Sequence, residues 1–121
     1  MTRDEILAMK PGRELDALVM RTVFKAEKKD IGDECYWVLE VNGEEVCWPR
    51  WFSPSTDIAA AWEVAEQLQK QGYVVCIELL PYEETSVGVY EADPANQIAY
   101  AKAQTPAEAI CKAALLAVME E

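Results

Sequence analysis

The pair Asn42-Gly43 restricts the fold more than any other two residues in the chain. On its N-terminal side, Cys35, Trp37, Leu39 and Val41 alternate with Tyr36, Val38 and Glu40, and on its C-terminal side a shorter run covers residues 45–48. A two-residue hairpin turn needs positive φ at both central positions, which Asn and Gly tolerate, so the two runs are predicted to pair antiparallel. Every other segment has to be fitted around that hairpin.

Helix signals flank it on both sides. Thr2-Arg3-Asp4-Glu5 has the Thr-x-x-Glu pattern of a capping box, and Lys10-Pro11-Gly12 interrupts the short helix it opens. A second helix is expected over residues 13–25, because Leu15, Leu18, Val19, Thr22 and Val23 fall at i, i+3, i+4, i+7 and i+8. Residues 28–33 read as a polar connection. Pro49 and Pro54 bracket a loop, Ser55-Thr56-Asp57 caps a helix, and Ile58, Ala61, Trp62, Ala65 and Leu68 mark its buried face up to Gly72. Glu63, Glu66, Gln67 and Lys70 occupy the opposite side.

Residues 73–80 form an apolar β-rich run that reads as a central strand ended by Pro81. Residues 85–91 and 97–103 alternate more cleanly around the turn-forming cluster Ala92-Asp93-Pro94-Ala95-Asn96, which gives a meander of three strands. Thr105-Pro106-Ala107-Glu108 then opens a last helix over residues 106–119, with Ile110, Cys111, Ala114, Leu115 and Val118 as its buried stripe. The order α, α, β, β, α, β, β, β, α predicts a single α+β domain: an antiparallel sheet of about five strands sandwiched by helices in α-β-α layers.

Composition narrows the function classes. Of 121 residues 51% are apolar, enough for a core without metal or disulfide staples. No run approaches the roughly 18 apolar residues of a membrane span, and the charged start lacks the apolar stretch of a secretory signal, so the expected location is the cytoplasm. The net charge of −11 is uneven: residues 1–30 carry +1 and residues 31–121 carry −12. Such a surface repels phosphate backbones and disfavours direct nucleic-acid binding; it reads first as a solubilising surface, and the same field also suits a basic protein partner. Cys35, Cys47, Cys76 and Cys111 are too widely spaced for a local metal or redox motif, and each lies in an apolar stretch where a core role is expected.

Catalysis finds little footing in these residues. The chain has no histidine, so a Ser or Cys nucleophile lacks its usual base. Glu44-Glu45 and Glu83-Glu84 are sequence neighbours that would point to opposite faces of a strand. No phosphate loop or serine elbow is present. The sequence predicts a non-enzymatic protein without cofactor or metal.

The best candidate site is the segment Trp48-Pro49-Arg50-Trp51-Phe52-Ser53-Pro54-Ser55-Thr56-Asp57. Trp48, Trp51 and Phe52 offer stacking faces and Arg50 a forked donor, and the helix start at Ser55, Thr56 and Asp57 offers backbone N–H groups to an anion. That combination suits a nucleotide or another charged aromatic molecule, and it equally suits a protein interface. In the plainer alternative, Trp48 and Trp51 plug the sheet edge and Arg50 pairs with the abundant carboxylates. Trp37 and Trp62 are expected in the core.

Four stretches resemble the phage ABA sandwich family: residues 1–7 (MTRDEIL), 11–19 (PGRELDALV), 55–64 (STDIAAAWEV) and 105–116 (TPAEAICKAALL). The resemblance implies phage origin and a fold of helices layered around an antiparallel sheet, and it supplies no catalytic residues. The Trp-rich residues 45–52 and the acidic pair Glu83-Glu84 depart from the family's pattern. In a phage setting the expected role is counter-defence: binding a host immune effector or sequestering a nucleotide-like signal in the host cytoplasm. The alternatives are an acidic inhibitor that imitates nucleic acid, or an early-gene interaction protein without a ligand, whose loop serves homo-oligomer formation.

Overall fold

A computed structural model describes residues 2–31, 34–49, 51–91 and 96–119, with the side chains of residues 30–36 left out. Arg50, the turn residues 92–95, the end of the 28–33 connection and the side chain of Cys35 therefore lie outside the description. The elements run α1 (Arg3–Ala8), α2 (Arg13–Thr22), β1 (Glu27–Ile31), β2 (Glu34–Val41), β3 (Glu44–Pro49), α3 (Ile58–Lys70), β4 (Tyr73–Glu78), β5 (Thr85–Glu91), β6 (Asn96–Ala103) and α4 (Pro106–Met119).

Helix α4 is the centre of the molecule. Its start follows the sequence signal, with the Glu108 amide donating to Thr105 Oγ1 at 3.2 Å. The predicted stripe is too narrow, however, because Ala109, Ala113, Leu116 and Ala117 are buried along with Ile110, Cys111, Ala114 and Leu115. A helix that is apolar on all sides belongs in an interior, and α4 packs against β5 and β6 on one side and α1, α2 and α3 on others. Its one charged interior residue is Lys112, whose Nζ meets Glu108 Oε2 at 2.6 Å and donates to the Leu7 carbonyl at 2.9 Å. A buried ammonium is tolerated only with such partners, and here it also satisfies the C-terminal end of α1. The capping box at Thr2 and Glu5 opens α1 as the sequence predicts.

Helix α3 is turned from its predicted face. Ala60, Ala61, Val64, Ala65 and Leu68 are buried, whereas Ile58 and Trp62 are more than half exposed. The correction has a steric cause: α3 packs on the Ala-rich α4, and two such helices approach closely only through small side chains. Trp62, expected in the core, is therefore pushed to solvent. Trp37 is buried as predicted.

Among the described residues six strands form two antiparallel sheets, ordered β1-β2-β3 and β4-β5-β6, in place of the single sheet of about five strands. The added strand is β1, which pairs with β2 from Glu27↔Val38 to Ile31↔Glu34 and overlaps the segment 28–33 read as a polar connection. The Asn-Gly hairpin forms as expected, with Val41 opposite Glu44, Asn42 at φ 53° and Gly43 at φ 83°. In the second sheet the central strand is β5, buried over Thr85–Val89, and β4 is an edge strand with alternate residues exposed. Ala99, Ala101 and Ala103 of β6 join Val87 and Val89 in the core. Of the cysteines, Cys111 is a core residue, whereas Cys47 and Cys76 are exposed because each lies on the outward side of an edge strand.

Candidate functional site

A cleft of about 550 Å³ lies between β3 and α3. Val46, Cys47, Trp48 and Pro49 form one wall, Glu63, Glu66, Gln67 and Lys70 the other, and Phe24 and Phe52 close the base. The α3 residues follow i, i+3, i+4, i+7 spacing and so share one helix face, the one opposite the core.

The aromatic side is a packed cluster. The Phe24 ring lies 5.0 Å from Trp48 and 6.2 Å from Phe52, and Trp48 and Phe52 are 6.5 Å apart, in tilted and edge-on arrangements. These spacings fall in the range where aromatic pairs attract beyond their burial. Phe24 is buried, and Trp48 and Phe52 are half-buried, so each presents part of a ring to the cleft. Among the described lining residues, carboxylates outnumber cations two to one, with Glu63 and Glu66 facing Lys70 alone. A flat cation suits such walls, since it is attracted to ring faces and to carboxylates together.

The residues from Trp51 onward have other tasks. Trp51 does not line the cleft and is 73% exposed. Ser55 is buried and fully engaged: its amide donates to Asp16 Oδ1 at 2.8 Å and its Oγ accepts the Gly12 amide at 2.9 Å. That clasp ties the loop before α3 to the start of α2. Thr56 is exposed, 3.5 Å from the Ser53 carbonyl through its hydroxyl. Asp57 is the N-cap of α3 and accepts the Ala59 amide at 3.1 Å. Its carboxylate occupies a free donor of the helix end and places a negative charge where a phosphate would have to sit. Of the residues singled out in the sequence, the structure gathers Trp48 and Phe52 in the cleft and leaves Trp51, Ser55, Thr56 and Asp57 outside its lining. Arg50 falls outside the described residues.

Sequence reasoning missed Phe24, Val46, Cys47 and the α3 wall. The spacing of Glu63, Glu66, Gln67 and Lys70 was visible, but a polar helix face looks the same whether it meets water or a cleft. Neither the Cys111 thiol nor the Ser55 hydroxyl is set up as a nucleophile. Burial drives the Cys111 thiol far above its ordinary value, with the charges of Asp16 and Glu108 pushing in the same direction, and Ser55 is held by Gly12. Among the described residues no group of His, Cys, Asp or Glu is placed to hold a metal ion, and no helix is long and apolar enough to cross a membrane.

A model of the Phage ABA sandwich domain family matches residues 17–115, from within α2 to within α4. The chain belongs to that family of phage domains, and its α+β architecture of antiparallel sheets and helices is the structure that goes with the match. No curated protein and no solved structure shows significant similarity to it.

Proposed function

We propose that the protein is a non-enzymatic phage accessory factor that acts in counter-defence by binding a host effector protein at the β3–α3 cleft. The observation that carries the reading is the pairing of half-buried Trp48 and Phe52 with Glu63 and Glu66 across one cleft. Aromatic anchors beside a polar rim are how protein interfaces concentrate their energy. The surplus of negative charge over residues 31–121 draws a basic surface toward it. Asp57 at the helix end makes a nucleotide signal the weaker fit for the same region. Phage membership supplies the setting, a host cell in which an acidic binding protein meets host proteins.

The test compares the wild-type chain with Glu63→Lys/Glu66→Lys. Both glutamates are exposed, so the variant should fold. Wild type immobilised in host lysate should retain a defined host protein that the variant releases, and phage carrying the variant should plate poorly only on hosts with an active defence system. Equal retention by both chains would sink the cleft as the binding site. Measurable heat from cyclic or ADP-ribose-derived nucleotides, with no protein retained, would replace this reading with signal sequestration.

A further inference from the structure

We propose that the cleft takes an extended, arginine- or lysine-bearing segment of the partner, which adds to the free edge of β3 as a fourth strand. This rests on the reading of the cleft as a protein-binding site and specifies how that site works. Among the described residues β3 is the outer strand of its sheet and pairs only with β2. Successive side chains of a strand point to opposite faces, yet Val46, Cys47, Trp48 and Pro49 all line the cleft. Four consecutive residues do so only where a cleft runs along the strand's edge, beside its outward N–H and C=O groups. Among the described residues, the backbone of residues 44–48 makes no bond besides those of the β2 ladder. Those groups are open to another chain.

Such an edge normally invites any strand, and natural sheets restrict it with charge and proline. Here Pro49 lacks an N–H and closes one end of the usable edge, while the other end carries the carboxylates of Glu44 and Glu45, the latter 4.0 Å from the exposed Lys29 ammonium. The opposite wall adds Glu63 and Glu66. An acidic segment, including another copy of this chain's own carboxylate-rich strands, is repelled, and a basic one is attracted. The pleat of the added strand sends alternate side chains toward α3, where a guanidinium reaches a glutamate while lying against Trp48 or Phe52. Main-chain bonds would supply affinity and the charged aromatic wall specificity, the division of labour of strand-addition complexes.

The test uses labelled hexapeptides and fluorescence anisotropy: one alternating arginine and threonine, one alternating glutamate and threonine, and the arginine peptide with alternate backbone nitrogens methylated. The arginine peptide should bind and the glutamate peptide should not. Methylation should weaken binding by about tenfold or more, since the ladder bonds are lost while the charges remain. Glu63→Gln/Glu66→Gln should weaken it about five- to tenfold, and added peptide should slow amide exchange in residues 44–48. Equal binding of the methylated peptide, or no binding of any peptide, overturns strand addition. In either case, host-protein retention that still depends on Glu63 and Glu66 would show that the broader reading survives.

Discussion

Sheet β4-β5-β6 and sheet β1-β2-β3 share a plan, a three-stranded antiparallel meander, and differ in what backs them. The first lies against α4, and its central strand is buried over five consecutive residues. Among the described residues no helix packs along the second to that extent; its outer strand β3 is exposed over four of six residues, and Trp37, Trp48 and Leu39 tie it to the core. Hydrogen-bond ladders alone do not favour the buried sheet, since β1-β2-β3 pairs without interruption while β5 and β6 shift register between Val89 and Tyr90. The difference shows that burial decides which sheet is scaffold and which is available as a surface.

The sharpest way to break this contrast is to shorten an apolar side chain in each region. Leu115→Ala in α4, where the residue is fully buried, should cost about 3–5 kcal/mol in urea unfolding, whereas Val46→Ala in β3 should stay within about 0.5 kcal/mol. Equal losses would mean that β1-β2-β3 is as deeply anchored as α4. Lys112→Ala is next, at about 3 kcal/mol, because it strands a mostly buried Glu108 carboxylate and removes the donor to the Leu7 carbonyl. Lys112→Met should lose less, as its stem packing is retained.

A smaller effect depends on pH. Folding raises the Cys111 thiol above its ordinary value of 9.0, so above that pH the unfolded chain loses a proton that the folded chain keeps. Stability from this group is therefore complete below pH 9.0 and falls as pH rises, by about 1.4 kcal/mol per pH unit. Comparing wild type with Cys111→Ala on both sides of that pH isolates the contribution. The smallest change, Gly43→Ala, forces a Cβ onto a φ of 83° and should cost about 1 kcal/mol. Amide exchange should accelerate in β2 and β3 while β5 stays protected, and acceleration in both sheets would show that they open as one unit.

Much of the fold was legible where local chemistry has one outcome. The Asn42-Gly43 turn, the Thr2–Glu5 box and the Thr105-Pro106 start leave few alternatives, and all three form. β1 was illegible because Glu27, Lys28 and Lys29 are exposed, so no apolar alternation marks a strand held by its ladder to β2 and an exposed Lys29–Glu45 ion pair. The face of α3 was ambiguous because apolar residues occupy more than one side of it. Size settled the matter, with Ala60 and Ala61 turned inward and Trp62 outward, but only once α4 was known to be the neighbour. The candidate site was half visible: Trp48 and Phe52 stand out as aromatics at the end of a strand and in the loop after it, while the α3 wall and Phe24 reach them only through tertiary packing.

The clasp of Ser55 on Gly12 and Asp16 joins residues 39 to 43 positions apart. The clasp thus closes α2 and β1-β2-β3 into one loop of chain whose two ends meet where α2 and α3 begin. A segment held by its two ends tolerates changes of length at little entropic cost, since closure grows only slowly with the number of residues enclosed. Changes of length in the turns of β1-β2-β3 should therefore be absorbed inside that loop while α4 and its surroundings go on folding as before.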